Sequence, residues 1–267
     1  MRIWQASLFF YVFVFVICEF LRTLVLRFIP GPNNRLSKQL LLEFIGTLQI
    51  CAPMFDVGTI LDNYGLIGVF VEITVLEYAN SLFIRDCIAQ PCPIITSCYR
   101  KWKFIKRVVY VFIVQFAAAY LSYFLARTFW RLHIHKVHIE LLEQRSCTAD
   151  LTVALTTGML VEGFATFFAK AFEKWTDDVY EGSRTCALLN STFSGLLCAI
   201  GINYTGMYAN PIVAWACTFN CEGVSHLGHL IVYWFSPIVA WYLAEKVFGH
   251  EETIEEESEV MVEKKEK

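Results

Sequence analysis

Apolar positions along this chain neither alternate nor recur every third or fourth residue over most of its length; they run on. From Leu8 to Ile17 ten consecutive positions carry only apolar side chains. A helix needs about 20 mostly apolar residues to cross the hydrocarbon core of a bilayer. Seven segments meet that length, roughly 3–28, 39–58, 65–85, 107–129, 151–173, 185–203 and 227–248. The first is long for a signal peptide and lacks a small-residue cleavage site, so it reads as a retained helix. The pattern predicts an all-α transmembrane chain.

Composition agrees. Of 267 residues, 56% are hydrophobic and 18% charged, against about 45–50% and about 25% in a soluble domain. That excludes a disordered chain, a collagen-like fibre and a disulfide-stapled miniprotein. The net charge of −3 conceals an acidic run at Glu251–Glu259, and no basic footprint suggests nucleic acid. No nucleotide loop, zinc-ligand spacing or catalytic triad motif stands out, so neither a cofactor, a metal nor an enzyme is expected. Lys and Arg in the segments between spans sort 17 to 5 between the two sides of the membrane. The positive-inside rule then puts the N-terminus outside and the C-terminus in the cytosol. Five of the ten cysteines (Cys18, Cys51, Cys186, Cys198, Cys217) fall in apolar runs, where a free thiol behaves as a small hydrophobe. Cys87, Cys147 and Cys221 fall in loops.

Two landmarks recur. Glu43 precedes Thr47 by four residues and Glu162 precedes Thr166 by four, and the two glutamates lie 119 apart. Gln90-Pro91-Cys92 and Asn210-Pro211-Ile212 lie 120 apart. A four-residue spacing puts each Glu and Thr on one helix face. Matched offsets with three spans per half imply a duplication inserted in opposite senses, as in many transport folds. The reading divides the chain into an N-terminal helix and loop (1–38), a first repeat (39–129), a connecting loop (130–150), a second repeat (151–248) and an acidic cytosolic tail (249–267).

After each carboxamide-proline pair comes a stretch too short to span, Pro91–Tyr99 and Pro211–Phe219. Proline suits the first helical position, where its missing N–H costs nothing, and asparagine is a good cap. Two such half-helices from opposed repeats would meet end to end near the midplane, each N-terminus carrying about +0.5 of a charge. Such a centre repels cations while the carboxamides hydrogen-bond a neutral solute. Short helices begin inside a membrane only where protein or a water-filled cavity satisfies them.

Tyr204-Thr205-Gly206, followed three residues later by Asn210-Pro211, resembles the loop that carries the second Asn-Pro-Ala box of the aquaporins. The Glu43 and Glu162 helices resemble the two helices whose glutamates brace the pore loops in that family. The resemblance covers about residues 39–248. Neither box is Asn-Pro-Ala. A first box ending in cysteine resembles the divergent aquaporin 11-type branch, the superaquaporins, which carries a cysteine nine residues beyond the second box. Cys221 stands there. The Ile231–Trp234 run followed by Pro237 is also similar to that branch.

The resemblance implies an aquaporin fold with an extra N-terminal helix, a homotetramer in the lipid bilayer, and passive flow of water and small neutral solutes. It also implies a selectivity filter of Phe70, Cys198, Met207 and Val213, the last replacing the arginine of ordinary aquaporins. Without that charge the filter strips water of hydrogen bonds at about 1–3 kcal/mol per group. Slower water flow and better tolerance of glycerol or hydrogen peroxide are expected. A rival reading is a non-conducting scaffold blocked by Phe70, Met207, Ile212 and Val213. Gln90 is one methylene longer than asparagine, so it is either a shifted pore contact or a packed polar residue.

Lys264 and Lys265 stand fourth and third from the end, which fits a dilysine retrieval signal for the endoplasmic reticulum. His133, His135 and His138 do not share one helix face and read as a solvated patch. Asn190 and Asn203 head glycosylation sequons at membrane depth, where the transferase cannot reach. Cys221 either pairs with Cys147 in an oxidising compartment or is a free thiol. Glu19, Glu72 and Glu77 either bond between helices or face a cavity.

Overall fold

Long apolar runs become long helices here, and the polar residues inside them decide which way each helix faces. The computed structural model describes residues 1–29, 35–84, 87–98, 105–144, 146–180 and 182–248. Within them lie α1 (Ile3–Phe28), α2 (Arg35–Met54), α3 (Val57–Phe83), α4 (Pro91–Cys98), α5 (Ile105–Trp130), α6 (Lys136–Glu143), α7 (Leu155–Tyr180), α8 (Arg184–Thr205), α9 (Pro211–Thr218) and α10 (His226–Phe248). No strand occurs among the described residues; Thr148 and Glu222 form a lone bridge. The all-α expectation holds. Lys264 and Lys265 lie outside the described residues.

Five of these helices, α1, α3, α5, α8 and α10, are long and apolar enough to cross a membrane. The α2 and α7 helices are equally suited by length, at 20 and 26 residues. They are less apolar because of Glu43, Thr47 and Gln49 in one and Glu162, Thr166 and Lys170 in the other. All six of those side chains are buried in the molecule. Polar groups at such depth need partners, and burial against other helices supplies them.

The α2 helix packs on α5, α7 on α10, and α3 on α8. The α3–α8 contact depends on Gly195: a Cβ there would lie 2.8 Å from the Phe70 carbonyl oxygen and 2.2 Å from Thr74 Oγ1. Small residues let helix backbones approach in this way. Along α1 the buried side chains Ile3, Ala6, Phe10, Val14, Cys18 and Arg22 fall three or four apart and form one stripe. Phe9, Val12, Val16 and Phe20 on its other sides stay exposed. Phe10 and Phe13 hold α1 to Phe129 of α5, with ring centroids 4.9 and 5.4 Å apart.

The acids left open by the sequence separate. Glu19 pairs with Arg22 within α1 at 2.5 Å. Glu72 accepts a hydrogen bond from Tyr11 of α1, which also donates to Asp56 at 3.3 Å. Glu77 faces an internal cavity. The histidine patch is not uniformly solvated: His138 is buried against Phe129, with ring centroids 5.6 Å apart. Burial lowers its pKa below the usual imidazole value, and His135 and His133 lower it further. His135 accepts from Val137 N–H and caps α6.

Cys147 and Cys221 form a disulfide, which resolves that alternative. Backbone bonds between Ala149 N–H and Glu222 O, and between Glu222 N–H and Cys147 O, both 2.8 Å, flank it.

Candidate pore

The α4 and α9 helices have eight residues each, about 12 Å of helix against a hydrocarbon core of about 30 Å. Each starts on proline. At α9, Asn210 is the cap, its Oδ1 accepting from Ile212 N–H at 3.1 Å. The residue before each box, Ala89 and Ala209, has a left-handed backbone with φ of 49° and 48°. Upstream, α8 ends on Gly206 at φ 81°. A side chain there would sit 2.6 Å from the Tyr208 ring, so only glycine fits both the turn and the space.

One carboxylate organises each loop. Glu43 accepts from the N–H groups of Ile88 and Ala89, at 3.0 and 2.7 Å, and from Gln115 Nε2 at 2.8 Å. Glu162 accepts from the N–H groups of Tyr208 and Ala209, at 3.1 and 2.8 Å, and from Thr205 Oγ1 at 2.7 Å. Backbone that is neither helix nor strand is thereby satisfied away from water.

The two half-helices meet tip to tip. Asn210 Nδ2 donates to the Ala89 carbonyl at 3.0 Å, and Gln90 Nε2 donates to the Ala209 carbonyl at 3.4 Å. Each carboxamide thus reaches the residue that precedes the other box. Crosswise packing supports them: α4 rests on α10, and α9 on α5 and α2.

Both carboxamides line a cavity of about 740 Å³. It follows α3 from Val57 to Ser81 and Ile84, and it is bounded along α8 from Ala187 to Ile202. Its two ends differ. Near Val57 the walls are Leu61, Ile73, Ile202 and Met207; near Ser81 they are Asn80, Lys170, Glu173 and Asn190. At the first end Asp150 accepts from the Tyr208 hydroxyl. Burial raises the Asp150 carboxyl above the ordinary carboxylate range, and the Tyr208 hydrogen bond works against that rise.

Cys198, Met207 and Val213 all line the cavity, as does Gln90. Phe70 does not; α3 presents Leu61 and Ile73 instead. The third box residues also point away. Cys92 and Ile212 are fully buried, and Ile212 packs with Cys51 and Ala119 of the supporting helices. Replacing alanine there changes how the half-helices seat rather than what a solute touches. Sequence reasoning missed Gln115, Tyr208, Asp150, Asn80 and Lys170. Gln115 was visible as a lone amide inside an apolar span. The others gave no signal without knowing which helix face meets the cavity.

No protein-family profile matches the chain. Individual relatives do. It is 26% identical over 242 residues to aquaporin-11 of the tardigrade Milnesium tardigradum, covering 88% of this chain and 83% of that protein. It is 24% identical over 247 residues to a Caenorhabditis elegans protein named "Putative aquaporin-10", covering 91% and 86%. Mouse aquaporin-12 matches over 116 residues at 28% identity, 43% of this chain and 39% of that protein.

Proposed function

We propose that the chain is an aquaporin-type protein, as its similarity to aquaporins along most of its length supports, and a passive channel for water, glycerol and hydrogen peroxide. One observation carries this reading: Gln90 and Asn210, each starting a half-helix, are tied reciprocally in the wall of a cavity that follows α3 from end to end. Two helix N-termini facing one point make it positive, which turns cations and protons away while leaving neutral solutes unopposed. Each carboxamide spends one N–H on the opposite loop and keeps a second for solute.

The filter of Cys198, Met207 and Val213 carries no fixed charge. A water molecule passing it gives up hydrogen bonds without replacement, whereas a larger solute with an apolar flank gives up fewer. Leu61 and Ile73 take the role sequence reasoning gave to Phe70. The halves 39–129 and 151–248 are read as inverted repeats, supported by Glu43 with Glu162, Ala89 with Ala209, and the crosswise seating of α4 and α9.

Orientation rests on the 17-to-5 charge bias. The disulfide supports it, since Cys147 and Cys221 fall together on the non-cytosolic side, where thiols oxidise. Residence in the endoplasmic reticulum rests on Lys264 and Lys265, and homotetramer assembly on family resemblance.

Stopped-flow measurements on proteoliposomes, with water, glycerol and peroxide in parallel, test the proposal. Solute flux above that of empty liposomes is expected, with glycerol favoured relative to water when set against an arginine-filtered aquaporin. Zero flux for all three overturns it in favour of a scaffold. A C-terminal tag should be protease-accessible in sealed microsomes, and replacing both tail lysines with serine should release the protein to the cell surface.

A further inference from the structure

From Asn80 at the polar end of the cavity a chain of three buried side chains leads back to α1. Arg22 of α1 is 2% exposed, Gln49 of α2 0% and Asn80 of α3 5%. Arg22 is anchored by Glu19 through Nη1 at 2.5 Å, and its Nη2 lies 3.2 Å from Gln49. A guanidinium can only donate, so the Gln49 atom facing it must be the carbonyl oxygen. The other Gln49 atom is then the amide nitrogen, which lies 3.1 Å from Asn80. It in turn demands the Asn80 oxygen. One permanent cation therefore fixes the direction of every hydrogen bond in the chain, and Asn80 is left with only its N–H₂ group unspent.

Asn80 belongs to the cavity wall, and its Nδ2 has no partner among the described residues. One turn earlier on the same helix face Glu77 also lines the cavity, and its oxygens accept. Donor and acceptor thus stand side by side, the pair that a hydroxyl group of a neutral solute can satisfy at once, accepting from Asn80 and donating to Glu77.

We propose that Asn80 is a solute-contacting, specificity-determining residue for hydroxylated neutral solutes, and that Arg22 and Gln49 are positioning residues that hold its donor toward the pore. The proposal rests on the channel reading above. It gives α1 a part in selectivity although α1 itself does not line the cavity.

Gln49→Glu tests it. The carboxylate keeps the shape of the native side chain and its bond to Arg22 but has no N–H, so Asn80 turns its amide toward that carboxylate and its oxygen toward the cavity. Asn80→Asp replaces the donor at the cavity directly while still accepting from Gln49, and so does not depend on the first variant folding. Both are reconstituted and assayed by stopped flow for glycerol and water, with the thermal midpoint in detergent measured in parallel. The glycerol-to-water permeability ratio should fall at least about threefold in each, as loss of one hydrogen bond per solute implies, without a lower midpoint for Gln49→Glu. A wild type that conducts while Asn80→Asp leaves the ratio unchanged overturns the role of Asn80. A response to Asn80→Asp but not to a folded Gln49→Glu overturns the positioning by Arg22 and Gln49. Absence of all flux in the wild type defeats the channel reading itself.

Discussion

Glu162 shows how much one side chain can organise. Its two oxygens take two hydrogen bonds from a loop that has no regular structure and a third from Thr205, the last residue of α8. Glu162→Gln puts an N–H₂ where a donor already points, leaving a buried donor unmet at about 1–3 kcal/mol. A lower thermal midpoint in detergent and reduced flux are expected; an unchanged midpoint would show that the loop is held by other contacts. Val213 is the second residue to probe. Val213→Arg in proteoliposomes should lower the glycerol-to-water ratio by about an order of magnitude, equivalent to ~1.4 kcal/mol. Both glutamates, both carboxamides, Cys198, Met207 and Val213 were singled out because each sits at a fixed count from a landmark, and the structure places the glutamates against the two loops and the other five in the cavity wall. Phe70 was misassigned to that wall, because α3 is apolar on nearly all sides. In such a helix periodicity does not say which face meets the cavity, and the left-handed break at Gly65, φ 64°, removes the register that a continuous helix would have carried.

At the scale of elements, apolar run length located all seven long helices, including α2 and α7, whose polar content is spent inside the molecule, but it began α3 eight residues late and ended α7 seven residues early. The short helices were legible through proline. What the sequence could not give was the partner of each buried polar group. Tyr11 is the example: an ordinary tyrosine inside an apolar run, it donates to Asp56 and Glu72 and pins α1 to the turn before α3 and to α3 itself. The second oxygen of Glu72, Oε2, has no hydrogen-bond partner among the described residues, so this carboxylate depends on Tyr11. Tyr11→Phe should cost about 1–3 kcal/mol and loosen α1, measurable as faster proteolysis between α1 and α2 in detergent. Unchanged cleavage would place the attachment of α1 in the Phe10, Phe13 and Phe129 cluster alone.

For the whole molecule, the disulfide joins segments 74 residues apart in sequence, the loop before α7 to the loop after α9. Removing a crosslink of that span costs about 2–4 kcal/mol. Cys147→Ser should lower the thermal midpoint, and a reducing agent should do the same to the wild type while leaving the variant unmoved. A reductant-insensitive wild type would mean the bond does not form in the protein as expressed. Sequence offered this pairing only as one of two alternatives, because counting spans puts both loops on one side without saying whether their cysteines come close enough to bond.

The seating of α4 on α10 has a consequence for how the protein is made. Ribosomes add about 5–20 residues per second, and roughly 130 more residues must follow α4 before α10 begins. For several seconds to about half a minute the first short helix exists without α10, held only by Glu43 of α2 at its start and by its packing on α5. The nascent chain therefore needs a temporary companion for that segment, so truncations ending before α10 should be retained by membrane chaperones and degraded rather than accumulate as half-channels.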